Sequence, residues 1–240
     1  MFRHTGKNRT YLHNLKLASI LSFVAGIVNV SGFFSVHQLT TNVTGHFAFF
    51  ADELVKKNYE TSLLYLFYII SFFTGAFFSS LCVEIVATRH KQYLYLIPVS
   101  VEAVILFTVG IIGHDIFAYH PSTIACVLLF AMGLQNALVT GISNSVVRTT
   151  HLTGLFTDLG IELSQLFFYK LPEQQKKLTS SIRLRLAIIS FFFAGCILGG
   201  ICYTYISTAS LHIAVFCLVI SIIYDNIKFR VIAVKRKSHV

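Results

Sequence analysis

Long apolar stretches separated by short polar ones run along the whole chain and predict a helical membrane protein. Six of them are long enough to cross a bilayer core of about 30 Å, which takes about 20 helical residues. They cover residues 15–36, 61–87, 93–113, 121–142, 184–206 and 209–227. Two shorter stretches, 43–57 and 152–169, carry acidic residues in their middles and are weaker candidates for crossing. The expected fold is all-α, a single integral membrane domain over residues 1–240 with about six transmembrane helices and two short helices.

The composition supports a membrane protein over a soluble one. Only 12% of the residues are charged and 55% are hydrophobic, whereas a soluble domain carries about 25% charged residues. The five cysteines lie inside apolar stretches with no histidine at ligand spacing, which indicates helix packing. We therefore expect no metal site and no cofactor.

Basic residues flank the first and last apolar stretches. Lys and Arg concentrate on the cytoplasmic side of membrane proteins, so this pattern predicts cytoplasmic termini and a multi-pass topology. The formal net charge of +9 is thus a topology signal, and no nucleic-acid partner is expected. The first stretch is longer than the core of a typical signal peptide and lacks a cleavage site, so we expect it to be retained. The flanking residues are Arg3, Lys7, Arg9, Lys16, Lys228, Arg230, Lys235, Arg236 and Lys237.

Three blocks of sequence recur in the same order and predict two internal repeats, residues 1–113 and 114–240. The segment 40–45 returns as 149–154, with Glu53 matching Glu162 at the same offset; 26–29 matches 133–136, and 73–75 matches 193–195. If the two short stretches do not cross the membrane, each repeat has three spans and the second copy is inverted. If they cross, there are eight spans and parallel copies. Loop charge does not decide between these, but mid-membrane carboxylates are costly, which favours six.

The three prolines carry local expectations. Pro121 is expected at the start of a helix, Pro98 is expected to kink a span, and Pro172 is expected in a basic loop.

The repeated element is an apolar helix, a Thr-Thr-x-x-Thr-Gly break and a short helix. A helix break at membrane depth is tolerated where it lines a cavity or is buried in protein, and its free N–H groups would favour a polar or anionic solute. Thr40, Thr41 and Asn42, like Thr149 and Thr150, are residue types expected to cap the start of the next helix. One alternative is therefore a turn capped by its own side chains, and another is that the asparagines only bond between helices. The candidate binding residues are Asn29, Thr40, Thr41, Asn42, Thr44, Gly45, Asn136, Arg148, Thr149, Thr150, His151, Thr153 and Gly154.

Four acidic residues are candidates for ion or proton coupling. Asp158 and Glu162 are four residues apart and share one helical face, Glu53 is the counterpart of Glu162, and Glu102 lies well inside an apolar stretch. Intramembrane carboxylates commonly face a cavity or pair with a buried polar neighbour. Both interpretations stay open here.

These blocks, with Phe23 to Val30 and the second Thr-Thr-His-x-Thr-Gly segment, resemble the YoaK-like family. This family consists of bacterial inner-membrane proteins that share a domain of unknown function. The resemblance covers nearly the whole chain and implies a bacterial cytoplasmic membrane protein with about six spans. It implies no activity.

Three functions compete. The repeats, the paired breaks and the acids favour a small-solute transporter or channel in the lipid bilayer. A non-transporting membrane scaffold or assembly partner is the alternative. An enzyme is not expected, because no nucleophile elbow, zinc-protease motif, phosphate loop or redox cysteine pair is present, and no catalytic residue is assigned.

Overall fold

A computed structural model describes residues 10–87 and 95–237, apart from the side chains of residues 113–118 and 228–237. Every regular element in these ranges is helical, which confirms the all-α prediction. The basic residues Arg3, Lys7, Arg9, Lys228, Arg230, Lys235, Arg236 and Lys237 lie outside the described side chains. The helices are α1 Tyr11–Val36, α2 Val43–Val55, α3 Tyr59–Ala87, α4 Leu96–Tyr119, α5 Pro121–Ser143, α6 Leu152–Phe168, α7 Pro172–Ile206 and α8 Leu211–Lys237, with a 3₁₀ turn at Ser207–Ser210.

Four stretches of the described chain are long and apolar enough to cross a membrane. They are Tyr11–Val36, Tyr59–Ala87, Pro121–Ser143 and Pro172–Ile227, the last of which contains both α7 and most of α8, while Leu96–Ile112 of α4 is a shorter apolar helix. By contrast, α2 has 13 residues and would span only about 20 Å at 1.5 Å per residue. The chain is therefore a membrane protein in which helices of full length alternate with shorter ones.

Two of the three proline expectations are wrong. Pro121 begins α5 as predicted, but Pro98 lies in the first turn of α4. The missing N–H of a proline costs nothing in a first turn, so no kink follows. Pro172 is the first residue of α7, not part of a loop. The polar residues after it extend this helix well before the apolar stretch that begins at residue 184.

Glycines allow α1 and α7 to pack with their backbones in contact. A Cβ atom at Gly26 would overlap the carbonyl oxygen of Phe192, and one at Gly195 would overlap the carbonyl oxygen of Phe23. Small residues at such crossings are a common device in membrane helix pairs.

The same device joins α3 to α5. A Cβ atom at Gly75 would overlap the carbonyl oxygen of Phe130, and one at Gly133 would overlap the carbonyl oxygen of Phe72. Both close helix pairs are therefore made at glycines.

The helix α5 runs antiparallel to α1 at the centre of the bundle. The Nε2 atom of Gln135 donates to the carbonyl oxygen of Leu21 at 3.0 Å, while Leu128 lies 3.4 Å from the Cβ position of Gly32. Residues early in one helix therefore face residues late in the other. In their most apolar windows, 61% of the residues of α1 and of α5 are buried, against 17% in α3, so α1 and α5 form the core and α3 lies at the periphery.

Polar contacts place the start of α1 and the later part of α8 at the same end of the bundle. Ser31 and Ser210 hydroxyls are 3.0 Å apart, and the Lys16 ammonium donates to the Tyr224 hydroxyl at 3.4 Å. The two helices are consequently antiparallel.

Each shorter helix folds back on the next long one. In the first hairpin, the Ser62 hydroxyl of α3 donates to the Phe50 carbonyl of α2 at 3.2 Å, and the His46 and Tyr68 rings are 5.2 Å apart. In the second, Ser181 of α7 donates to Glu162 of α6 at 2.6 Å. Each shorter helix thus runs antiparallel to the first part of the long helix that follows it.

The glycine contacts give a direct stability test on α5. We expect Gly133→Ala to destabilise the protein by about 1–3 kcal/mol, because the added methyl group overlaps backbone that cannot rotate away. The matched control is Gly141→Ala on the same helix, where a Cβ atom would meet nothing within 4 Å. That change should be neutral or stabilising, since alanine is the better helix former. Thermal unfolding in detergent measures both, and equal shifts would contradict the close contact.

Candidate functional site

After α1 the chain turns back into the bundle and does not continue outward. His37, in the left-handed conformation with φ 54°, ends the helix. The Thr40 hydroxyl then donates to the Val28 carbonyl at 3.4 Å, and the Thr41 hydroxyl donates to Asn29 Oδ1 at 2.8 Å. These bonds fix the start of α2 beside the interior of α1.

Only one of the threonines and asparagines expected to cap the short helices does so. Asn42 Oδ1 accepts from the Gly45 N–H at 3.0 Å, which is a normal N-cap. The capping prediction is wrong for Thr149 and Thr150, because the residue before α6 is His151 and its side chain makes no capping bond. The buried Thr149 hydroxyl instead accepts from Gln135 Nε2 at 3.4 Å.

Both breaks line one cavity of about 610 Å³. The first break contributes its Asn42 cap and the first residues of α2, and the second contributes the chain on either side of the α6 start. Phe72, near the middle of α3, and Asn136, just beyond the middle of α5, complete the wall. The lining residues are Thr41, Asn42, Val43, Thr44, Gly45, Ala48, Phe72, Asn136, Thr150, His151, Leu152 and Thr153.

Eight of the predicted binding residues therefore meet in this central cavity. Asn29, Thr40 and Thr149 do not line it; their hydrogen bonds hold the breaks in place. Arg148 and Gly154 line a neighbouring cavity of about 430 Å³, which shares His151 with the central one.

The polarity of the central cavity comes from helix ends and neutral side chains. The N-termini of α2 and α6 both reach it, and a helix N-terminus carries a partial positive charge. Among the described residues that line it, none carries a carboxylate. The Asn136 Oδ1 atom is buried without a hydrogen-bond partner, so this amide keeps unused bonding capacity. The cavity thus combines N–H donors at two helix ends with the unpartnered acceptor oxygen of Asn136.

The acids of α6 are paired with a cation that the sequence patterns missed. Arg185 of α7 donates to Glu162 through Nε at 2.8 Å and Nη2 at 3.0 Å, and its Nη1 lies 2.9 Å from Asp158. Glu162 also accepts from Ser181 at 2.6 Å. The pairing interpretation thus applies to both acids. The available signal was Arg185 itself, one residue inside the apolar stretch 184–206, where a cation needs a partner.

The other two acids have opposite environments. Glu53 lies near the end of α2, accepts from the Asn58 amide at 2.8 Å and lines none of the cavities described above. Glu102 is 0% exposed, and neither carboxyl oxygen has a hydrogen-bond partner. Leaving a buried polar group without a partner costs about 1–3 kcal/mol.

Comparison with known proteins establishes the family. Residues 17–224 match the family described as "Protein of unknown function (DUF1275)", and the chain belongs to it. The chain is also 27% identical, over 184 residues, to the UPF0700 transmembrane protein YoaK of Bacillus subtilis (strain 168). The aligned residues make up 76% of this chain and 80% of that protein. No solved structure matches significantly. The resemblance to the YoaK-like family is confirmed.

The ion pair of α6 and α7 predicts a stability difference. We expect Arg185→Gln to destabilise the protein by on the order of 1–2 kcal/mol, because Glu162 is only 13% exposed and would be left without its cation. The control is Lys56→Gln, which breaks a pair whose side chains are 54% exposed and should leave the melting temperature unchanged. A double-mutant cycle with Glu162→Gln measures the coupling; additive effects would contradict the pairing.

Replacing Glu102 is expected to change the stability in the opposite direction. Replacing an unpartnered buried polar group with an apolar side chain of similar size removes a desolvation cost of about 1–3 kcal/mol. Glu102→Leu should therefore raise the melting temperature, and Glu102→Gln should change it little. A lower melting temperature for the Leu variant would mean that the carboxyl has a stabilising partner.

Proposed function

We propose that this protein is a small-solute transporter or channel whose binding site is the central cavity between the two helix breaks. The observation that carries the proposal is that residues from both breaks line this one cavity. Non-helical backbone at membrane depth is tolerated where it is enclosed by protein or lines a hydrated space, and transporters commonly bind their solute at such interrupted helices.

The proposal includes an inverted repeat of two units, residues 1–113 and 114–240, with three spans each. Its support is the exchange of partners: α1 of the first unit packs on α7 of the second, and α5 of the second packs on α3 of the first. The antiparallel contact of α1 and α5 through Gln135 and Leu21 is what an inverted copy requires. The shorter helices α2 and α6 then enter from opposite faces.

The orientation follows from charge. The start of α1 and the later part of α8 share one end through Lys16 and Tyr224, and the α6–α7 connection carries Lys170, Lys176 and Lys177. Positive residues favour the cytoplasmic side, so we place both termini and this connection there. The relative in Bacillus subtilis supports a bacterial cytoplasmic membrane.

The chemistry of the cavity favours a small polar solute with an anionic group. Two helix N-termini supply N–H groups and partial positive charge, and threonine hydroxyls with the Asn136 amide supply neutral hydrogen bonds. The coupling ion, in this proposal, is a proton carried by Glu102. Glu102 lines none of the three cavities that lie along α6, and its support as carrier is that its carboxyl oxygens have no hydrogen-bond partner in the described part of the chain.

A flux measurement tests the proposal. Purified protein in proteoliposomes should increase the permeability to at least one of chloride, acetate, phosphate and glycerol, followed by stopped-flow light scattering. We expect Thr153→Val to reduce this flux at least tenfold, because the change removes a cavity hydroxyl and keeps the side-chain shape. Thr74→Val is the matched control, since Thr74 is exposed on α3 and its hydroxyl donates to the Ser71 carbonyl of the same helix.

The proposal would be contradicted if none of the four solutes crossed faster than in empty liposomes, or if both variants gave equal flux. Tolerance of Thr153→Val together with a stoichiometric partner in pull-downs would favour the scaffold alternative.

A further inference from the structure

Three cavities follow α6 from its first residues to its last. The central cavity shares His151 with the second. The second shares Ser181 with a third of about 330 Å³, which reaches Tyr169 just after α6. Since α6 has 17 residues and rises about 25 Å, this row extends from the two breaks to the end of the bundle where α6 joins α7.

Six of the ten described residues that line the second cavity are polar or charged. Arg148, Asp158 and Arg185 contribute charges, and Ser145 and Ser181 contribute hydroxyls. Asp158 keeps 50% of its side chain exposed although it is paired with Arg185. Charged groups of this kind hold water in a cavity, so the row offers a hydrated route.

At the corresponding place the α2–α3 hairpin carries a cluster of aromatic rings in contact, in which Phe49 is 48% exposed. On α2, the residues lining the central cavity end at Ala48. Beside it, Phe49 stacks on Tyr65 with ring centroids 5.2 Å apart, and Tyr65 meets Tyr68 edge-on at 5.8 Å. His46 is 1% exposed and its Nε2 atom donates to the Leu39 carbonyl at 2.9 Å, which ties the break to this cluster.

The two hairpins differ at matched positions. The offset that aligns Gly45 with Gly154 also aligns Phe49 with Asp158. The offset that aligns Gly75 with Gly195 likewise aligns Tyr65 with Arg185. One hairpin therefore holds a ring stack where the other holds an ion pair.

We infer that the solute reaches the central cavity from one side only, along α6 past Arg148, Asp158 and Arg185, and that the aromatic stack of Phe49 and Tyr65 seals the opposite side. This inference rests on the proposed function. In the orientation given by the basic residues of the α6–α7 connection, the open side is the cytoplasm. An incoming anion then passes Glu162 and Lys177 of the third cavity before it meets Arg148 and Arg185 of the second.

Cysteine labelling tests the side of access without knowledge of the solute. Thr153→Cys is placed in a background lacking Cys82, Cys126, Cys196, Cys202 and Cys217. A membrane-impermeant maleimide is added to inside-out and to right-side-out vesicles. We expect labelling at least tenfold faster from the cytoplasmic face. Phe193→Cys, 64% exposed on the lipid side of α7, should react from neither face.

A second pair of variants tests the seal. With Thr44→Cys as the reporter, Tyr65→Ala should raise the rate of labelling from the external face at least fivefold, because it removes one ring of the stack. Arg185→Ala, the matched change in the other hairpin, should leave the external rate unchanged. Phe49→Ala replaces Tyr65→Ala if the latter fails to elute as a single species.

The outcomes separate the two proposals. If Thr153→Cys reacts from neither face, the hydrated cavity is absent and the proposed function fails with the inference. If it reacts equally from both faces, or faster from outside, the cavity survives and only the one-sided route is overturned.

Discussion

The constraint on which this structure depends is that backbone polar groups inside a bilayer must find partners within the protein or in enclosed water. A helix meets it internally. In the proposed membrane placement, the segments 37–42 and 144–151, which are not helical, must meet it through neighbouring helices. At the first of these breaks, Thr40 and Thr41 hold the chain against α1. At the second, Gln135 and Thr149 do so from α5. The most buried helices are therefore the two that carry the breaks, and the other helices enclose them.

Close helix contacts make this enclosure possible. Without a hydrophobic force between helices in lipid, pairing relies on fitted surfaces, and glycines let backbones touch. Gly26 and Gly195 bring α1 against α7, while Gly75 and Gly133 bring α3 against α5. Each central helix is thereby clamped by a long helix from the other half of the chain. A larger side chain at any of the four positions would separate the helices that cover a break.

The sequence predicted the helices and the breaks because both leave local signals: apolar runs of membrane length and repeated Thr-Thr-x-x-Thr-Gly segments. It also grouped Thr44, Asn136 and Thr153, which meet in one cavity. Capping was predicted less well, since Thr149 has a tertiary partner, Gln135, that competes with the local helix end. Arg185 was missed because its partners Asp158 and Glu162 lie on another helix, and a contact between helices leaves no periodicity in either. The kink at Pro98 was expected because the apolar stretch begins at residue 93. The helix itself begins only at Leu96, and an apolar pattern does not mark such a start.

In the proposed duplication, access to the cavity depends on the positions at which the two copies differ. Two identical hairpins entering from opposite faces would leave the central cavity equally open or equally closed on both sides. Phe49 and Tyr65 in one hairpin, and Asp158 and Arg185 in the other, remove that equivalence. Exposure does not separate the two hairpins, because Phe49 and Asp158 are each about half exposed. Their chemistry does, since aromatic rings repel water and an ion pair binds it. An alternating-access cycle, on this view, needs the ring stack to open and the ion-pair side to close.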